Sequence, residues 1–387
     1  MKKLYLLTPS DRFNYGDMLF SHIVKHYFEN KVDQIVYCST IDSDLSVLGG
    51  IPTQNFRVLY KLNKWDKNIL FVGGGDSLCI GWPMVVSFLS PTINWFTAID
   101  HKLRTNFFEK FFIRYRYGAK TMYPFSIGKY ELNNIDKVFY NSLGGSFLHE
   151  NIISQGKSLH RLLSSVDYIS VRDSAVYEEL KDFKIIGNLV PDSAILMSEV
   201  FSADFLHDHL TQGLFPFQAH HFVFFQINKT LYSQNSEYYV NAIKRVLSQT
   251  DLEICLCPIG TALGHGDDEA LELLFSCLND ARVHLVRRPS IWDIMWLISN
   301  ALLYIGSSLH GAITAMSFGI PFVVTGTHKL SEYLRTWCPE SFNECFAKQT
   351  DLADKVSKKL VSCDSLNVST QKQLVMQSFA KMMKLME

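Results

Sequence analysis

Short, mostly apolar runs alternate along the chain with stretches whose apolar residues recur at helical spacing. That alternation is the pattern of a largely parallel sheet wrapped by helices. In the first half, Lys3–Leu7, Gln34–Tyr37, Ile69–Val72, Lys120–Tyr123, Asp167–Val171, Lys184–Ile186 and Asn188–Val190 read as strands. A helix is predicted from about Met18 to Phe28, and another follows Arg172 with Asp173 or Ser174 as its cap. The pattern lapses between Ser198 and His220, which reads as a connection between domains. It resumes with Phe222–Ile227, a helix over Glu237–Ser248, Glu253–Pro258 and a helix over Asp268–Leu278. Val283–Val286, a helix at Ile291–Ser299 and the run Ala301–Gly306 come next. The last is followed by a small-residue loop, a helix and the strand Phe322–Val324. The expectation is an α/β protein of two Rossmann-like domains facing across a cleft. An N-terminal domain would span 1–200, a C-terminal domain 215–349 and a helical segment 350–387.

Composition narrows the class. A chain of 387 residues is long for a single core, and 47% hydrophobic against 19% charged residues marks a packed globular protein. A net charge of −1 gives no global attraction to nucleic acid. The apolar runs are too short for a membrane-spanning helix, and the start, Met1-Lys2-Lys3, leads into a strand rather than a signal peptide. Eight scattered cysteines without a Cys-x-x-Cys suggest reduced thiols and a cytoplasmic protein. Cys255 and Cys257, two apart in a strand, read as small core residues on one face. One segment, 101–120, is basic and rich in aromatic residues. It suits peripheral contact with the inner face of an anionic membrane, and equally an amphipathic helix with a solvated basic face.

The candidate chemistry gathers in loops that follow strands. Asn14-x-Gly16-Asp17 offers a close backbone approach and two hydroxyl-binding or capping side chains. Gly73-Gly74-Gly75-Asp76 is an unhindered turn whose N–H groups can meet an anion, although it lacks dinucleotide or Walker spacing. Arg172 ends an apolar strand and is suited to fork onto a carboxylate or phosphate. Asp192 follows Pro191 at another strand end. His265 lies in a Gly-His-Gly loop, and Arg287 and Arg288 add cationic charge after a strand. The sharpest feature is Ser307-Ser308-Leu309-His310-Gly311, which places an imidazole at a helix mouth after a strand. An imidazole there can exchange protons near neutral pH or hold phosphate. No metal-ligand spacing appears, and no nucleophile elbow.

In their order and spacing these loops resemble the polysaccharide pyruvyl transferase family. The matching pieces are Asn14-x-Gly16-Asp17, Gly73-Gly74-Gly75, Ser170-Val171-Arg172-Asp173, Pro191-Asp192 and Leu309-His310-Gly311 with Gly319-x-Pro321. The resemblance implies a fold like that of the B-type glycosyltransferases. It implies transfer of a pyruvyl group from phosphoenolpyruvate to two hydroxyls of a sugar, giving a cyclic ketal and phosphate. It implies no cofactor beyond that donor. The acceptor would be a polysaccharide or lipid-linked precursor for exopolysaccharide, capsule or cell wall. His310 would be catalytic, and Arg172 with the His310–Gly311 helix mouth would hold the donor's carboxylate and phosphate. The chain departs from the family pattern at Ser308, where an arginine usually stands two residues before the histidine. Arg287 or Arg288 would then supply the cation. Two other readings stay open: a nucleotide-sugar glycosyltransferase, with Glu332 as the ribose ligand, and a non-catalytic binding protein.

Overall fold

The computed structural model describes residues 1–90, 92–96, 99, 112–211 and 217–387. Among them thirteen strands form two wholly parallel sheets. The first sheet holds β1 (Lys2–Leu7), β2 (Gln34–Ser39), β3 (Gln54–Asn55), β4 (Lys67–Gly73), β5 (Lys137–Leu143), β6 (Tyr168–Val171) and β7 (Asn188–Leu189), in the order 3-2-1-4-5-6-7. The second holds β8 (Phe222–Phe225), β9 (Glu253–Leu256), β10 (Val283–Leu285), β11 (Leu303–Gly306), β12 (Phe322–Thr325) and β13 (Phe346–Ala347), in the order 10-9-8-11-12-13. Each order reverses once, between β1 and β4 and between β8 and β11. Open parallel sheets form their ligand crevice at such a point, beyond the carboxyl ends of the strands.

Side-chain alternation sorts the core. Leu4, Leu6 and Phe71 on one face of the first sheet share an apolar cluster with Phe222, Phe224, Cys255 and Cys257 of the second. Three helices fill the space between them: Tyr15–Phe28, Ile291–Ser299 and Leu309–Phe318. The opposite faces build separate cores, with Leu70, Val72 and Val138 in one and Val223, Phe225 and Ile254 in the other. The final helices divide between the sheets. Leu352–Ser362 buries Leu352 and Val356 in the second core. Ser369–Met386 returns to the first sheet, where Phe379 meets Phe28 at 5.3 Å between ring centroids and Ser378 Oγ lies 2.9 Å from Tyr168 Oη.

Two of the expected strands are absent from the described structure. Lys120–Tyr123 is irregular chain, held by side-chain bonds such as Thr121 Oγ1 to the Tyr123 carbonyl at 2.8 Å. Lys184–Ile186 is the exit of a helix, with the Lys184 and Ile185 N–H groups bonding back to Lys181 and Leu180. In their place β5 pairs between β4 and β6, and a helix runs over Leu148–Ser164. Residues 101–111 of the basic aromatic segment lie outside the described residues. No described helix is long and apolar enough to cross a membrane.

Candidate active site

The two switch points face each other across a cleft of about 460 Å³. A backbone bridge between Asn14 and Gly260 ties the two domains beside it, reinforced by the Tyr15 N–H on the Ile259 carbonyl at 3.1 Å. Tyr15 Oη, buried, lies 2.9 Å from Thr314 Oγ1 on the Leu309–Phe318 helix. The mouth of that helix is therefore registered against the loop after β1. Gly16 has to be glycine here: a Cβ would stand 1.7 Å from His310 Nδ1. Gly311 is needed for the same reason, since its Cβ would reach 2.0 Å from the Tyr304 hydroxyl. Gly74, at φ +65°, has room for no side chain above the Phe20 ring.

His310 is set between that ring, edge-on at 5.4 Å, and a carboxylate. Its Nε2, buried without a hydrogen-bond partner, is 3.5 Å from Asp192 Oδ2. Asp192 is fully buried, and its Oδ2 also accepts from Arg172 NH1 at 3.1 Å, while Oδ1 accepts from the Ala194 N–H. Burial alone would raise the Asp192 carboxyl, but His310 and Arg172 outweigh it and hold the group below the usual carboxylate range. Arg172 is itself 2% exposed. Burial disfavours its charge, yet Asp192, Asp76 and Asp173 together raise its proton affinity. The Trp337 indole N–H donates to the Arg172 carbonyl at 2.7 Å, so a helix of the second domain (His328–Trp337) braces the end of β6.

The remaining walls carry opposed carboxyl groups. Burial raises the Asp17 carboxyl despite the opposing charges of His310, Arg12, Lys329 and Arg172. Asp76 is held low: Arg172, Lys329 and the Ser146 N–H and hydroxyl, at 3.0 and 2.6 Å, overcome its burial. Burial, helped by Lys329 and Arg12, lowers His265 to about 4, which leaves it a neutral ring 3.5 Å from Asn14 Nδ2. Asp267 accepts from Gln226 Nε2 and from the Ile259 and Gly260 N–H groups, and burial raises it to about 6.

Most residues singled out in the sequence thus meet. Asn14, Asp17, Gly75, Asp76, Arg172, His265, Ser307, Ser308 and His310 line the cleft, with Asp192 behind them. Arg287 and Arg288 do not join them. Arg287 forks onto Glu272 at 2.8 and 3.1 Å on the surface, and Arg288 is exposed beyond β10, at the sheet edge. Neither supplies a cation next to Ser308, whose hydroxyl instead caps the helix by accepting from the Gly311 N–H at 3.2 Å. Glu332 lies off the cleft lining, 3.8 Å from both His328 and Arg335. Sequence reasoning missed Arg12, Lys329 and Gln226, which line the cleft, and Trp337 behind it. Arg12 closes a polar loop and Lys329 opens an unassigned helix, so neither carried a motif. Among the described residues no group of three His, Cys, Asp or Glu side chains could hold a metal ion.

This arrangement defines a two-domain α/β protein of the architecture shared by B-type glycosyltransferases. The chain belongs to the polysaccharide pyruvyl transferase family, whose model matches residues 14–329. Similar solved structures include the UDP-N-acetylglucosamine 2-epimerase from Rickettsia bellii, with 11% identity and a TM-score of 0.57 over 100% of this chain and 96% of that one. Another is the UDP-GlcNAc 2-epimerase from Neisseria meningitidis bound to UDP-GlcNAc, with 11% identity and a TM-score of 0.56 over 98% and 100%. An alpha-glucosyltransferase in complex with UDP and DNA matches with 8% identity and a TM-score of 0.50 over 100% and 95%. At such identities the likeness is one of fold. No curated protein matches the chain.

Proposed function

We propose that the protein transfers the pyruvyl group of phosphoenolpyruvate onto two hydroxyls of a sugar, releasing phosphate and leaving a cyclic ketal. The observation that supports this reading most is the Asp192 carboxylate shared by Arg172 and His310 in a cleft that also receives Arg12 and Lys329. Asp192 faces Nε2 of the ring at 3.5 Å, and in this reading the imidazole is the group that exchanges a proton with the ligand. Protonation of the donor's methylene carbon makes its C2 electron-poor, and one sugar hydroxyl adds there. A second hydroxyl then displaces phosphate: its oxygen forms the second C–O bond as the C–O bond to phosphate breaks. One hydroxyl proton balances the new methyl group, and the other leaves with phosphate. Cations at the cleft stabilise the departing charge.

Asp17, nearer its neutral form than an ordinary carboxylate, faces this chemistry from the first domain and suits a sugar hydroxyl. The acceptor in this reading is a sugar of an exopolysaccharide, capsule or cell-wall precursor. A lipid-linked acceptor would be met at the inner face of the membrane, and the apolar wall of Ile80, Met84, Val85 and Phe88 at one side of the cleft suits the start of its apolar chain.

The test is phosphate release from phosphoenolpyruvate across galactose-, mannose- and hexosamine-bearing acceptors. Release that depends on acceptor and falls at least about 100-fold in His310→Ala, the size of a lost general acid–base group, supports the reading. Release unchanged in that variant overturns the role of His310.

A further inference from the structure

We infer that Lys329 is the residue that holds the phosphate group of the donor, a role neither the sequence motifs nor the family match assigns to it. This rests on the donor reading above and follows from the charge balance inside the cleft. Of the cations on the lining, Arg12 is committed to Asp11, with Nε to Oδ1 at 2.7 Å, and donates besides to the Val85 carbonyl. Arg172 is committed to Asp192 at 3.1 Å, buried on both sides. A phosphate arriving at either would compete with a carboxylate already in place. Lys329 differs: among the described residues its ammonium makes no ion pair and no hydrogen bond. Lys329 is half-buried on the cleft wall, and a cation there without a protein partner is free to pair with an anionic ligand.

A second observation lies beside it. Thr327 precedes the helix His328–Trp337, and its hydroxyl is not used as a cap. Thr327 Oγ1 is buried without a partner and lines the same cleft. A phosphate bound to Lys329 offers oxygens both to that hydroxyl and to the positive end of a ten-residue helix. Lys329 lines the cleft together with Asp17, Asp76 and His265, and its charge lowers the proton affinity of all three. Neutral His265 adds no charge there, so Lys329 carries the balance.

The experiment is calorimetric titration of the full chain with inorganic phosphate, phosphoenolpyruvate and pyruvate, in wild type, Lys329→Ala and Lys329→Arg. Lys329→Ala should weaken both phosphate-bearing ligands about 10- to 100-fold, the size of one lost charge-assisted contact, and leave pyruvate binding unchanged. Lys329→Arg should stay within a few-fold of wild type. The melting temperature should not move, since the ammonium bonds to nothing in the described fold. Phosphate bound equally by wild type and Lys329→Ala overturns the assignment, as does equal weakening of pyruvate. Loss of phosphate binding in Lys329→Ala, with no pyruvyl transfer by wild type, would keep the assignment and sink the donor reading alone.

Discussion

Gly16 shows how a single hydrogen in place of a methyl decides the geometry of the cleft. Its Cα faces His310, and a Cβ would sit 1.7 Å from Nδ1 and 2.1 Å from Cγ, far inside contact distance. Because Tyr15 and Asn14 are bonded to the second domain, the loop cannot withdraw to make room. Gly16→Ala should therefore push the imidazole off Asp192 and lower kcat at least about tenfold with a smaller change in donor affinity, as expected when a positioned group shifts by about an ångström. Steady-state kinetics check this, and unchanged kcat would show that the ring has another way to sit. The residue scale is also where the sequence was most informative. Asn14, Asp17, Asp76, Arg172 and His310 were each picked out because a strand end delivers them, and strand ends of parallel sheets converge. Arg287 and Arg288 met the same criterion but follow the edge strand β10, and strand order is not readable from local pattern.

At the scale of elements, the last helix does more than its place at the chain's end suggests. Ser369–Met386 belongs by sequence to the second domain's side of the chain, yet it buries Val375, Phe379, Met382 and Met386 against the first. Phe379, fully packed between Phe28 and Tyr27, closes that layer. Phe379→Ala should cost about 3–5 kcal/mol, the range for large-to-small changes of a buried aromatic side chain. Denaturant unfolding measures it, and a loss below about 1 kcal/mol would show that the helix is not part of the first domain's core. Elements were harder to read than residues. The strand β5 holds only Val138–Tyr140 as an apolar run between Lys137 and Asn141-Ser142, whereas Lys120–Tyr123, expected as a strand, pairs with none. The helix Leu148–Ser164 is interrupted at Gly156 (φ +33°), which hid its period. The helix His328–Trp337 went unassigned, and Lys329 and Trp337 went with it. In each case tertiary pairing overrides local preference.

For the whole molecule, the two domains are joined through buried polar groups as well as apolar ones, and pH should reveal this. Asp267 fixes the Ile259–Gly260 turn that bridges to Asn14. Burial raises its carboxyl from 3.8 to about 6, so between those values the folded chain keeps a proton that the unfolded chain has released. The stability it contributes is complete below pH 3.8 and is lost as pH rises through about 6, a change of about 2–3 kcal/mol. Asp267→Asn should flatten the slope of unfolding free energy against pH in that window relative to wild type; equal slopes would contradict it. The fold class, by contrast, was plain from the alternation of strands and helices, because buried parallel strands leave continuous apolar runs. The chemistry of the assembled cleft is the central claim, and its product is the most direct test. The acceptor should be recovered after incubation with phosphoenolpyruvate labelled with carbon-13 at C2 and analysed by NMR and mass spectrometry. The account predicts one labelled ketal carbon bonded through oxygen to two positions of the same sugar, absent with His310→Ala. An acceptor recovered unlabelled in the presence of phosphoenolpyruvate, but glycosylated when a nucleotide sugar is supplied, would contradict it.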